Sequence, residues 1–440
     1  MSRRRILSLS VVLALSLGAL SAQENSRDDL FMDAIQSEDF FRLDSLLALG
    51  TDSTSLWAQA FSQSMVHHSF NHKEEAVRNL QTVLGLFGSK LSMDSRIYLS
   101  SLLADNLSRQ GKNKEASLML LTLLNQFEKE GKNMEYSKDI MTLERRYLAL
   151  ADYSLYKKSS TSGSGSVSLS IEKVNQEGRS ILMMRVPVSM GRSQRNVQLS
   201  TSESMNLITL SEAKALGLAA IGETASGKRK SLSVGSTAIA REVVIGNLRL
   251  ENVPFEVVQD PKKDKQSLSY RSNFSIVLGM PVLDAMEKIE LDFKEKVLVI
   301  NPPVSQDDGK EHNMMITPGT GGLCMGLKAY GEDMAVFLDT GSGTSTITST
   351  FLEKNPQLFM GLEEKELALA SSGEVVPFQG YQLHDFSFLL DGKPFTVPEI
   401  SVCKEQTQES LRDGIIGLDV LTTFSKCRLD LERMSISLIP

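Results

Sequence analysis

"VFLDTGSGTSTITSTFLEKNP", Val336 to Pro356, joins an apolar strand-like run to an Asp-Thr-Gly turn at Asp339-Thr340-Gly341, a Ser/Thr-rich stretch and a short helix. Its frame recurs upstream as "VQLSTSESMNLITLSEAKALG", Val197 to Gly217: Leu199 falls under Leu338, Thr201 under Thr340 and Thr209 under Thr348, all at an offset of 139. A second landmark follows each copy. "SIVLGMPVLDAMEKIELDFKEKVLVI" from Ser275 matches "GIIGLDVLTTFSKCRLDLERMSISLI" from Gly414, so that Gly279 falls under Gly417 and Asp292 under Asp430 at an offset of 138. Between the landmarks each copy has a Ser-Gly turn suited to a hairpin, Ser226-Gly227 and Ser372-Gly373. Three landmarks held in order make the region from 169 to 440 two tandem units, 169–303 and 304–440, built from short strands. Thr209 with Glu212, and Thr350 with Glu353, have the spacing of a helix capping box.

Upstream of the tandem units the periodicity is helical. From Asp28 to Lys157 apolar residues recur at three and four spacing, with polar or Gly breaks near Gly50, Asn71, Gly88, Gly111 and Gly131. "FNHKEEAVRNLQTVLGLF" around Ala76 and "GKNKEASLMLLTLLNQF" around Ala116 repeat a polar turn, a Glu-Ala start and a Leu-rich face. "KKSSTSGSGSVS", residues 157–168, is Ser/Gly-rich and reads as a flexible linker between the helical and strand-rich parts. The expected fold is therefore multidomain α and β, with a helical array over 23–156 and a mainly-β double-lobed region after the linker.

Composition bounds the function. The chain has 440 residues, 41% hydrophobic and 23% charged, enough for a sizeable core, and its net charge of −7 comes with no basic block beyond the extreme N-terminus. Nucleic acid is excluded as an expected partner. Arg3, Arg4 and Arg5, the apolar run Ile6 to Leu20 and small residues to Ala22 read as a signal peptide over 1–22, shorter than the ~20 apolar residues of a membrane span. The expected location is outside the cytoplasm, periplasmic or secreted, with no integral span after cleavage. Cys324, Cys403 and Cys427 lie in apolar stretches and read as buried small hydrophobes, a Cys403–Cys427 bridge being the alternative. The five His show no metal spacing, so neither metal nor cofactor is expected.

"FLDTGSGTSTIT" together with "GIIGLDVL" resembles one lobe of a retroviral-type (retropepsin-like) aspartic peptidase, and the two tandem copies resemble a bilobal enzyme built from such halves. The helical repeats look like tetratricopeptide-type helix pairs, although their 40-residue offset departs from that family's period. The peptidase resemblance implies Asp339 as the catalytic carboxylate, Thr340 as the residue gripping the opposite loop, Gly341 as the permissive turn and Ser342 as a hydrogen-bond donor to the carboxylate. It also implies Ser371, Ser372 and Gly373 in a substrate-covering flap, and Gly279 and Gly417 in the substrate loops.

The first copy departs from this pattern where the chemistry is decided. Ser200-Thr201-Ser202 stands in place of Asp-Thr-Gly: Thr201 can still grip, but a Ser hydroxyl has no negative form near neutral pH and cannot share a proton with a carboxylate. Glu203 is the nearest acid and is displaced along the loop. Three readings stand open. An exported endopeptidase could cut peptide bonds with water activated at Asp339, its dyad completed by a second molecule in a homodimer. A catalytically inactive module could bind extended peptides or a protein partner, with the helical array as docking domain. A lone-Asp hydrolase could use Ser200 to position water.

Overall fold

The computed structural model describes residues 26–130, 137–160, 163–176, 179–222, 231–260, 274–306, 308–371, 374–405 and 412–440. The expected signal peptide, the Ser226-Gly227 turn and Ser372 and Gly373 of the expected flap lie outside the described residues. The chain divides into two compact units, a helical one containing 26–155 and a β-rich one containing 156–220, 231–314 and 322–440.

The helical unit runs α1 (Ser26–Gln36), α2 (Phe40–Ala48), α3 (Leu56–Ser69), α4 (Lys73–Phe87), α5 (Met93–Arg109), α6 (Asn113–Lys129) and α7 (Ser137–Leu150). From α3 onward each helix packs on the next in sequence. The repeated sequence lies on α4 and α6, where Ala76 and Ala116 are both fully buried and Leu80 and Leu120 repeat one turn later. An Ala at the contact lets the neighbouring helix come close, and the apolar positions behind it continue the buried stripe. Ser55 and Ser92 start α3 and α5 as side-chain caps, accepting from the amides of Ala58 and Ser95. No helix among the described residues is long and apolar enough to cross a membrane.

The β-rich unit begins inside the segment read as a linker. Residues 157–168 contribute β1 (Lys157–Ser160) and β2 (Gly165–Ser168), which pair with later strands. The Ser and Gly side chains cannot build a core, but backbone amides and carbonyls at an exposed sheet edge need no side chain to form a ladder. The first lobe continues with β3 (Ser170–Gln176), β4 (Arg179–Met190), β5 (Ser193–Leu199), β6 (Leu207–Thr209), α8 (Leu210–Ala215), β7 (Ala219–Ala220), β8 (Thr237–Ile245), β9 (Leu248–Val258), β10 (Ile276–Leu278), α9 (Met280–Met286), β11 (Lys288–Asp292) and β12 (Val297–Ile300). The second comprises β13 (Met314–Ile316), β14 (Leu323–Ala329), β15 (Glu332–Leu338), β16 (Thr346–Ile347), α10 (Ser349–Lys354), β17 (Lys365–Ser371), β18 (Glu374–Leu390), β19 (Lys393–Cys403), β20 (Gly414–Ile416), α11 (Leu418–Leu421), β21 (Lys426–Asp430) and β22 (Ser435–Ile439).

Each lobe closes six of its strands into a barrel, and the two barrels have one wiring. In the first the order around the wall is β4-β5-β10-β6-β9-β8 and back to β4. In the second it is β14-β15-β20-β16-β19-β18 and back to β14, with the same two parallel pairings. Closure leaves no free edge in either barrel. The tandem frames of the sequence thus fold into the same topology. Their cores differ in texture: Phe351, Phe386, Phe388, Phe395 and Phe424 form a chain of ring contacts in the second lobe, whereas the first packs mainly aliphatic side chains and Met.

The helix starts correct one expectation. Thr209 and Thr348 are the N-cap residues of α8 and α10, neither side chain makes a capping bond, and Thr350 lies inside α10. Glu212 instead pairs with Arg195 at 2.6 Å, a stronger charged partner than a backbone amide.

The last hairpin of each lobe joins a common five-stranded sheet, ordered β2-β12-β11-β21-β22. Its apolar face is closed by Ile289, Leu291, Leu298, Leu429 and Ile436, all at most 2% exposed. Each such side chain contributes ~1.5–3 kcal/mol on burial, so this sheet is the seam that holds the lobes together. Cys324, Cys403 and Cys427 are buried and not joined in a disulfide, and burial raises the Cys427 thiol to about 12.

Candidate functional site

β5 and β15 are equivalent strands that end at the middle of the β-rich unit, between the lobes. Each runs parallel to the short strand that follows the hairpins: Leu199 lies beside Leu278, and Leu338 beside Ile416. The residues just past the strand ends continue this geometry, Ser200 N donating to Leu278 O and Asp339 N to Ile416 O, both at 3.0 Å. Two identical strand-to-loop transitions therefore bring Ser200 and Asp339 face to face.

Thr201 and Thr340 lock the loops together. Thr340 N donates to Thr201 Oγ1 at 3.0 Å and Thr201 N donates to Thr340 Oγ1 at 3.2 Å. Each hydroxyl in turn donates across the boundary, Thr340 Oγ1 to Leu199 O at 3.0 Å and Thr201 Oγ1 to Leu338 O. Both Thr are about fully buried, so every one of these bonds also spares a desolvated polar group. Gln198 adds a further bond to the same loop, from its side-chain amide to Thr340 O at 2.9 Å. It stands where Phe337 stands in the second lobe, so the repeat itself does not mark it.

Asp339 is buried, 2% exposed. Its Oδ1 accepts from Gly341 N at 2.8 Å and faces the Ser200 hydroxyl at 3.4 Å. Ser202, at the position of Gly341, places its hydroxyl 3.0 Å from that of Ser200. A Cβ on Gly341 would meet Ser200 Oγ at 2.8 Å and Asp339 Oδ1 at 3.1 Å, so only glycine lets the loop pass so close to both groups. The place opposite Asp339 is filled within one chain by a hydroxyl that can donate to the carboxylate but cannot trade a proton with it as a second carboxyl would.

Gly279 and Gly417 occupy equivalent turns. A Cβ on Gly279 would come within 2.4 Å of Glu203 O, and one on Gly417 within 2.7 Å of Thr344 O, which explains why both landmarks carry glycine. Met280 N donates to Glu203 O and Leu418 N to Ser342 O, so Glu203 is the counterpart of Ser342. The main chain of Glu203 supports the loop there, half-exposed, while the seat opposite Asp339 belongs to Ser200.

Ser342 departs from the role the resemblance implied. Its hydroxyl lies 2.7 Å from Thr344 O and 2.8 Å from Ala370 O, tying the loop to β17 and not to the carboxylate. Ser371 is the last residue of β17 and pairs with Glu374 across the hairpin.

Two further supports were not singled out in the sequence. Asp419, in the first turn of α11, accepts from Ser345 N at 2.9 Å and from the Ser345 hydroxyl, and that hydroxyl accepts from Gly417 N at 2.8 Å. Burial pushes the Asp419 carboxyl above its usual range against these hydrogen bonds. In the first lobe Asn206 does the same work directly, accepting from Gly279 N at 3.0 Å. Asp419 follows the second-copy Gly417 by two residues, where the first copy has Pro281; that mismatch between otherwise aligned landmarks was the available signal.

No model of a known protein family matches the chain, and no curated protein matches its sequence.

Proposed function

We infer that the β-rich unit is a bilobal, retropepsin-like domain whose cleft binds extended peptide segments without hydrolysing them, with the helical unit as a tetratricopeptide-like docking array for a protein partner. The observation that carries this reading is Ser200 Oγ at 3.4 Å from Asp339 Oδ1, seated within the same chain where a second carboxyl would stand. Peptide hydrolysis by this chemistry needs two close carboxyls sharing one proton, one acting as base on water while the other acts as acid. One carboxyl and one hydroxyl supply the base without the acid. The seat is already taken, so a carboxyl from a second molecule has no place to enter.

Binding needs less. The reciprocal Thr201–Thr340 bonds hold the two loops together beside Asp339 and give an extended peptide a fixed floor to lie on. The test uses the full chain with a mixed library of fluorogenic peptides and a statine-containing peptide, from acid to neutral pH. Binding without turnover is the expected result. Turnover that disappears in Asp339→Asn would replace this reading by the lone-carboxylate hydrolase, and neither binding nor turnover would remove the peptide site altogether.

A further inference from the structure

The first strand of the first barrel runs on beyond the barrel wall. β4 has 12 residues against 7 in its counterpart β14. Its C-terminal part, Val186–Met190, lies in the barrel wall beside β5, whereas its N-terminal part pairs only with β3. β3 and the first half of β4 therefore form a two-stranded arm projecting from the barrel. An isolated hairpin of this kind is marginal in water and needs a surface to lie on.

The surface it lies on belongs to the second lobe. Ile181 and Met183, two residues apart and so on one face of the arm, are 2% and 1% exposed and pack with Ala370 of β17. Val174 of β3, Val375 of β18 and Phe274 complete this cluster. The arm's backbone also reaches the loop that follows Asp-Thr-Gly. A Cβ on Gly343 would fall 2.3 Å from Ile181 Cγ2 and 2.5 Å from Leu182 O, so the arm leaves no room there for even a methyl group. Gly343 N and the Ser342 hydroxyl bond Ala370 O, and Ala370 N bonds the Thr344 hydroxyl. Loop, arm and β17 thus form one closed layer next to Asp339.

We propose that the β3–β4 arm is an internal cover of the Asp339 cleft, holding the place along loop 341–344 and β17 that an extended peptide must take, and that the arm must lift before a peptide can enter. This deepens the peptide-cleft reading and rests on it for the identity of the ligand. The physical basis is competition: the arm is covalently attached, so it acts at a high effective concentration against any free peptide. Its hold is two buried side chains and a few neighbours, small enough to be displaced by a peptide that offers more contacts.

The test reads access to Asp339 separately from peptide binding. The full chain and an Ile181→Asp variant are treated with a carbodiimide and an amine, and labelling at Asp339 is located by mass spectrometry. Asp292, buried in the five-stranded seam, reports unfolding; if it becomes labelled in Ile181→Asp, the milder Ile181→Ala makes the comparison. The cover predicts protection of Asp339 in the wild type and several-fold more labelling in the arm variant, with tighter capture of the statine-containing peptide. Equal labelling of Asp339 in both proteins overturns it, even if peptide binds. Increased labelling without any peptide capture keeps the cover and removes the peptide reading instead.

Discussion

Glu290 and Arg428 are equivalent residues of the two lobes that face each other across the β11–β21 pair. The register matches Lys288 with Asp430, Glu290 with Arg428 and Asp292 with Lys426, and the repeat offset is 138, so Glu290–Arg428 is the pair in which a residue meets its own counterpart. The pseudo-two-fold axis passes between them. On either side Lys288–Asp430 and Lys426–Asp292 are the same ion pair seen twice, at 3.1 and 2.9 Å. On the axis itself a true homodimer would oppose like charges. Here Glu290 Oε2 meets Arg428 Nε at 2.5 Å, an arrangement open only to two lobes that have diverged within one chain.

The axis pair gives the first prediction. Glu290→Arg places two guanidinium groups against each other in a site where both side chains are at most 15% exposed, and should cost about 3–5 kcal/mol. The charge-swapped double variant, Glu290→Arg with Arg428→Glu, should recover part of that loss, the rest persisting because Glu290 also pairs with Lys426 and Arg428 with Asp308. Denaturant unfolding of the three proteins checks it; a double variant no better than the single one would show that the pair does not set the seam.

The threonine grip should behave as a unit. Thr201→Val or Thr340→Val each leaves a buried amide unpaired and should cost about 1–3 kcal/mol. Because each hydroxyl serves the other loop, the double variant should fall short of the sum by about 0.5 kcal/mol or more. A double-mutant cycle on unfolding free energies measures this, and strict additivity would mean the two bonds act independently.

A third prediction supplies a second carboxyl opposite Asp339. Ser200→Asp combined with Ser202→Gly puts a carboxyl opposite Asp339 and opens the turn as Gly341 does. Two carboxyls this close cannot both ionise, so one is held protonated above its usual range. Peptide cleavage should appear at acid pH and vanish when Asp339→Asn is added. The raised value also sets the sign for stability: relative to the parent chain, the double variant should lose nothing to this pair at acid pH and become less stable as pH rises through the raised value. Fluorogenic peptide assays and denaturant midpoints across pH test the two halves separately.

The helical unit should be the acid-sensitive one. His68 is 3% exposed, and burial, with the nearby Arg109 charge second, lowers its value from 6.5 to about 4. The folded protein thus binds this proton less readily than the unfolded chain does. The stability from keeping His68 neutral is full above 6.5 and is lost as pH falls toward 4, on the order of 3 kcal/mol. His68→Gln should flatten that part of the profile. Helix-specific circular dichroism during denaturant titration at several pH values is the measurement, and an unchanged slope would count against it.

Much of this was legible in the chain. The offsets of 139 and 138 held through the fold because landmarks such as Leu199/Leu338 and Gly279/Gly417 sit where backbone passes backbone, and only certain side chains fit there. The capping boxes failed because spacing alone does not tell whether Glu212 will turn to an amide or to Arg195. The linker failed because Ser and Gly composition describes side chains, while β1 and β2 are held by main-chain bonds to strands 88 and more residues away.

By itself the sequence determined the duplicated lobe, the Asp-Thr-Gly turn and the serine, Ser200, at the matching place in the other copy, since these depend on residue identity and local order. Tertiary structure alone decided that Ser200 and Asp339 share one site, that Glu290 and Arg428 meet on the axis, and that the β3–β4 arm lies along Gly343. Those are contacts between segments far apart in the chain, fixed by how two barrels dock, and no local pattern of hydrophobicity or charge encodes them.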